Sequence, residues 1–217
     1  MFQLIEKGYM KKTEKLSNSY SQKYGYKVIA QKILLFFVRP YYQLFFKMEV
    51  EGEENIPKDK TVIFVSTHSS YHDPIVLSAA IQTKRIAFMA KSELFQIPVI
   101  AQLSRLVGAF PVNRKKIEVS TIKKAKYLLT KTDWCLGIFP QGTRIMDGTI
   151  GTIKGGFSLI AKATKSTAIP VLIDLKRGKF PFYGKIIVKI GKPLPETDDP
   201  NEMLNEWTKA VTEMRNF

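Results

Sequence analysis

The sequence predicts an α/β domain: a mostly buried, mixed β-sheet flanked by helices, preceded by a helical appendage. Two observations carry this. Short, nearly continuous apolar runs rich in β-branched residues recur after residue 48, as buried strands require. Amphipathic stretches with helix-start signals lie between them. The composition agrees: 217 residues, 45% hydrophobic and 24% charged, describe one globular domain. A chain of this size buries about three quarters of its unfolded surface, so it needs no covalent staples.

The elements follow in order. "TVIFVST" (61–67) is the first predicted strand of the domain. Asp73 and Pro74 then give a cap residue and a first-turn proline ahead of "IVLSAAI". "RIAFMA" (85–90) and "VGAFPVN" (107–113) are further extended segments. Residues 117–131 place Ile117, Thr121, Ala125, Leu128 and Leu129 on one stripe with lysines between, which predicts an amphipathic helix. "WCLGIFP" (134–140) is another buried strand, and Cys135 fits it as a small apolar residue. "TAIPVLIDL" (167–175) and "KIIVKI" (185–190) complete the strands. Asp199, Pro200 and Glu202 supply a cap, a proline start and a reciprocal carboxylate for a last helix. Its apolar side would be Leu204, Trp207, Val211 and Met214.

Residues 1–47 differ from the domain at 48–217. They hold nine Lys or Arg against two Glu, and include "KVIAQKILLFFVRPYYQLFFKM". Lys32, Arg39 and Lys47 interrupt the apolar run, and Pro40 is expected to break the helical ladder. The uncharged runs at 33–38 and 40–46 are too short to span a bilayer. No small-residue cleavage site follows, so the segment does not read as a signal peptide. It fits a membrane-surface element, with lysines at the headgroups and Phe, Leu and Tyr at the acyl boundary. It also fits a helix packed on the protein's own core.

The whole chain carries a net charge of +15, so its partners should be anionic. Nucleic acid is disfavoured, because the aromatic cluster sits in the apolar N-terminal stretch instead of alternating with cations on a sheet face. One cysteine excludes an internal disulfide and a cysteine-based zinc site. Gly-x-x-x-x-Gly-Lys-Ser/Thr and Gly-x-Gly-x-x-Gly loops are absent, and no cofactor is expected.

Both histidines lie in "STHSSYHDP". His68 follows a strand and Asp73 opens the next helix, a place where α/β proteins build sites. Across that turn a carboxylate can hydrogen-bond one imidazole nitrogen and leave the other as a base. The same residues also fit a turn that merely caps the helix. A zinc reading of His68, His72 and Asp73 lacks the expected glutamate, since position 69 is Ser, and lacks a third His or Cys ligand. Lys91, Arg114 and Arg144 each follow a strand, and Gly142 would let backbone N–H groups approach an anion. Arginine forks match phosphate oxygens.

In these blocks the chain resembles the glycerophospholipid acyltransferases, in particular the bacterial 1-acylglycerol-3-phosphate acyltransferases. "HSSYHD" resembles their His-x-x-x-x-Asp signature, and "GAFPVNR", "FPQGTR" and "AIPVLI" are similar to their second, third and fourth blocks. "KSELFQIP" and "IGKPL" also fall where the family has such segments, so the likeness covers roughly residues 48–194. Gln141 stands where the family usually has Glu. The resemblance implies His68 as general base, oriented by Asp73. It implies an acceptor subsite of Lys91, Arg114, Gln141, Gly142, Thr143 and Arg144. The donor would be an acyl thioester of acyl-carrier protein or coenzyme A, and the acceptor the sn-2 hydroxyl of a lysophosphatidate. Glycerol-3-phosphate or a lyso-aminolipid are alternative acceptors, and a catalytically silent basic binding module is a more distant alternative. An anionic membrane at the cytoplasmic face would be the working surface, with the protein peripheral or monotopic.

Overall fold

A computed structural model describes residues 28–106, 108–113, 118–145, 149–177 and 184–216. Seven strands form one sheet: β1 (Glu49–Glu51), β2 (Ile63–Ser66), β3 (Arg85–Lys91), β4 (Ala109–Val112), β5 (Trp134–Ile138), β6 (Ala168–Arg177) and β7 (Gly184–Ile190). Their spatial order is β1-β7-β6-β2-β5-β3-β4. Only the β6–β7 pair is antiparallel, so the sheet is mixed. Among the described residues six α-helices accompany it: α1 (Val28–Phe46), α2 (Asp73–Ala80), α3 (Pro98–Leu106), α4 (Val119–Lys131), α5 (Gly156–Thr164) and α6 (Pro200–Asn216).

The central strands are apolar on both faces because helices cover both. Every residue of β2 and β5 is buried. On one face, α1 and α2 bring Tyr42, Val76 and Leu77 against Phe64, Phe88 and Ile169. On the other, α4, α5 and α6 bring Leu128, Phe157 and Trp207 against Val65, Leu136 and Leu172. Trp207 has no exposed surface, and its indole N–H donates to the Val65 carbonyl at 2.8 Å. The last helix is thereby fixed to the strand that leads into His68. Cys135 is buried among apolar neighbours, and burial pushes its thiol up to about 11.

Several expectations change in detail. α1 runs through Pro40 without breaking. Proline removes one intrahelical bond, but its ring is exposed here while Tyr42 and Met48 are buried against the sheet. Tertiary packing outweighs the local cost. Asp73 lies within the first turn of α2, and His72 occupies the cap position. Glu202 bonds the Thr197 hydroxyl instead of closing a capping box. The sequence reading omitted β1, α3 and α5. Ile117 lies outside the described residues, as does most of the 1–47 appendage, of which only the helical part from Val28 is described.

Candidate active site

The site forms at the carboxyl end of β2. The chain leaves the sheet at Thr67, whose N–H donates to the Val171 carbonyl at 3.0 Å, and turns through 68–72 into α2. Asp73 is the hub of that turn. Its Oδ2 accepts the Ser69 N–H at 2.6 Å and the Ser70 N–H at 2.8 Å, and lies 2.8 Å from His68 Nδ1. The carboxylate is nearly inaccessible (side chain 2% exposed), whereas the imidazole keeps 11%. An acceptor-only carboxylate at Nδ1 requires the proton there, which leaves Nε2 with a free lone pair. This is the arrangement of a positioned base.

Two further contacts immobilise the ring and its backbone. Phe139 stacks on His68 with centroids 4.3 Å apart, and Phe88 stacks behind Phe139 at 6.0 Å. Gly137 makes room for this pile, since a Cβ there would lie 2.4 Å from the Phe88 ring. Gln141 is buried, and both ends of its amide are engaged by backbone. The oxygen accepts the His68 N–H at 2.6 Å and the NH2 donates to the Ile150 carbonyl at 2.8 Å. Only this orientation of the amide satisfies both groups. Gln141 therefore touches the site through the main chain of His68, behind the imidazole.

The other expected residues are arranged less tightly. Gly142 adopts φ +68°, which favours glycine, and a Cβ there would meet the Lys154 side chain at 3.0–3.2 Å. Thr143 is exposed, its hydroxyl 3.3 Å from the Arg144 carbonyl. Arg144 is laid over the Tyr71 ring, 3.3 Å from its centroid, and Nη2 donates to the Tyr71 hydroxyl at 2.6 Å. Lys91 pairs with Glu93 at 3.2 Å on the surface. Arg114 lies outside the described residues.

Four contributors escaped the sequence reading: Tyr42, Tyr71, Phe139 and Lys154. Tyr71 and Phe139 lie inside the HSSYHD and FPQGTR blocks, adjacent to His72 and Pro140, so their position in the sequence is itself a signal. Tyr42 could not, because it reaches the site from 30 residues away: its hydroxyl lies 2.8 Å from His72 Nδ1. The two histidines thus have different partners, and among the described residues no group of three or more His, Cys, Asp or Glu could hold a metal.

An imidazole at a strand end, held by a buried carboxylate, has the geometry to take a proton in acyl transfer to a hydroxyl. Comparison with known proteins decides the family. The sequence profile of the acyltransferase family matches residues 47–174. The chain belongs to the acyltransferase family. This acyltransferase is 34% identical over 171 residues to a 1-acyl-sn-glycerol-3-phosphate acyltransferase of Bacillus subtilis, a match covering 78% of this chain and 84% of that one. It is 37% identical over 164 residues to the protein of the same name from Streptococcus pneumoniae, covering 73% of this chain and 59% of the relative. The crystal structure of the 1-acyl-sn-glycerophosphate acyltransferase PlsC from Thermotoga maritima superposes with a TM-score of 0.64 at 27% identity, covering 86% of this acyltransferase and 82% of PlsC.

Proposed function

We propose that this acyltransferase moves a fatty acyl group from an acyl thioester, of acyl-carrier protein or coenzyme A, to the sn-2 hydroxyl of 1-acylglycerol-3-phosphate, giving phosphatidate. The observation that carries the reading is the 2.8 Å contact of His68 Nδ1 with a buried Asp73 carboxylate already held by two backbone N–H groups. The names of the similar proteins supply the acceptor.

The chemistry follows from that geometry. His68 Nε2 takes the hydroxyl proton as the acceptor oxygen attacks the thioester carbonyl. Asp73 stabilises the resulting imidazolium and keeps the ring from turning. The tetrahedral intermediate then expels the thiolate as the C–S bond breaks, and the imidazolium returns the proton to sulfur. No covalent enzyme intermediate is needed. Arg144, oriented by Tyr71, would hold the acceptor phosphate together with Lys91 and Arg114.

The lipid would come from a membrane on the α1 side. Phe36, Phe37 and Leu44 of α1 are 72%, 68% and 64% exposed. α3, which touches α1, adds Val99 and Leu103 at 68% and 58%, and Ile97 just before it is 50% exposed. No helix among the described residues is long and apolar enough to cross a membrane. The reading is a peripheral or monotopic protein on the cytoplasmic face.

A transfer assay of purified protein with a panel of lyso acceptors and both thioester donors tests this. His68→Ala should lower kcat by about 10²–10⁴-fold with an unchanged circular dichroism spectrum. Asp73→Asn should be similarly impaired, because an amide cannot replace an anion that accepts three donors. A wild-type protein without transfer to 1-acylglycerol-3-phosphate, or a fully active His68→Ala, would overturn the assignment.

A further inference from the structure

At the end of the sheet remote from His68, a cleft of about 810 Å3 opens between α1, the segment leading into β2, the turn from α2 to β3, and the end of α4. The central strands enter the sheet here and carry the catalytic turn at their other ends, so the whole of β2 separates cleft from base. Leu35, Ile81 and Leu129 give the cleft an apolar part, beside uncharged polar residues such as Thr61 and Gln82. Its charged lining is five basic residues against two acidic ones, Asp59 and Asp133.

These cations are not equivalent. Arg85 is tied to Asp133 at 3.1 Å. The Lys84 ammonium is fixed by the carbonyls of Lys58 and Lys60, at 2.9 and 3.0 Å, which hold it in place without cancelling its charge. Lys32, Lys58 and Lys60 have no carboxylate partner among the described residues. Phe36, which lines the cleft, also belongs to the exposed apolar side of α1 with Ile33 and Phe37. A cationic recess therefore joins an apolar strip along one side of the molecule.

We propose that this cleft receives the anionic headgroup of a bilayer phospholipid whose acyl chains lie along α1. The inference rests on the reading of α1 as the membrane side. Three features favour a lipid. The charge is complementary to a phosphodiester. The apolar strip is continuous with the recess, as the boundary between headgroups and acyl chains demands. An acidic carrier protein docked there would face the wrong end of the sheet, with β2 and its covering helices between its thioester and His68. Bound lipid at this end would seat α1 flat, with its other end, at Tyr42 and His72, beside the catalytic turn.

The test uses the full chain and two variants that each remove two exposed lysines. Lys58→Gln/Lys60→Gln alters the cleft. Lys192→Gln/Lys209→Gln makes the same charge change beside α6, on the opposite face of the sheet. Binding is measured by co-sedimentation with phosphatidylcholine vesicles, with and without phosphatidylglycerol. Basic residues near an anionic surface contribute about 1 kcal/mol each, so the cleft variant should lose about 30-fold in phosphatidylglycerol-dependent affinity. The control pair should keep most of its affinity, and both variants should keep wild-type turnover on detergent-dispersed acceptor. That last readout reports on the active site separately, so failure of the cleft and failure of the catalytic reading are distinguishable. Equal loss in both pairs would mean that only net charge matters and would overturn the proposal, as would no loss in either. Displacement from vesicles by inorganic phosphate at constant ionic strength would reassign the cleft to a soluble anion. A cleft variant impaired with the carrier-protein donor but not with the coenzyme A donor would reassign it to protein docking.

Discussion

The side-chain amide of Gln141 bridges two backbones, accepting the His68 N–H at 2.6 Å and donating to the Ile150 carbonyl at 2.8 Å. Gln141 is 4% exposed, so its amide has little access to water in place of these partners. Gln141→Glu keeps an acceptor for His68 but sets a carboxylate oxygen against the Ile150 carbonyl, which loses its donor. A buried acceptor left unpaired costs about 1–3 kcal/mol. The variant should therefore melt at lower temperature while retaining measurable transfer. An unchanged melting curve would show that the bridge is dispensable.

In the proposed reaction Arg144 would hold the acceptor phosphate, and Tyr71 sets its direction by stacking at 3.3 Å and by a 2.6 Å hydrogen bond. Hydrogen bonds to charged groups are worth about 1.5–3 kcal/mol. Arg144→Ala should accordingly raise the acceptor KM by about 10–100-fold, with little change in the thioester KM. Tyr71→Phe keeps the ring face and should raise the acceptor KM less than Tyr71→Ala. Steady-state kinetics with each substrate varied in turn checks both.

Tyr42 couples α1 to the residue before Asp73. Burial, with smaller contributions from Tyr41 and Asp73, pushes its phenol up to about 12. The phenol stays neutral across the working range, with its hydroxyl 2.8 Å from His72 Nδ1. Because the folded-state value is raised from 10.0, the stability this group contributes is full below about pH 10 and is lost as pH rises through about 12. Tyr42→Phe should lower stability by about 1 kcal/mol at neutral pH, and should remove the late-titrating phenol from the tyrosinate absorbance curve. A curve identical to wild type would refute the buried hydroxyl.

Trp207 anchors α6 through its indole N–H to the Val65 carbonyl. Trp207→Phe removes the indole bond while the ladder to β6 still pairs the Val65 carbonyl, and should cost about 0.5–1.5 kcal/mol. Trp207→Ala adds a cavity and should cost about 3–5 kcal/mol. Urea unfolding followed by circular dichroism measures both. Equal stability of the Phe variant and wild type would show that the hydrogen bond contributes nothing.

The sequence alone determined the class of fold and the His68–Asp73 pair. Strands β2 and β5 are apolar because they are covered on both faces, and that burial writes itself into composition. The five-residue spacing from His68 to Asp73 is one turn of chain, so local geometry suffices to bring them together. Edge strand β1 was not legible, because Glu49 and Glu51 face solvent and pair with Lys185 and Lys189 across the sheet. Helix α3 was not legible because an apolar stripe left exposed looks like neither core nor a solvated face. The continuity of α1 through Pro40 was decided by packing against α2 and β7, which no local propensity contains. The partners of Gln141 and His72 were likewise fixed by tertiary structure. Residues 73 and 30 positions from their partners meet only when the sheet order places β5 and α1 beside the end of β2. Hydrogen-bonding capacity is written in residue type, but the partner is chosen by the fold.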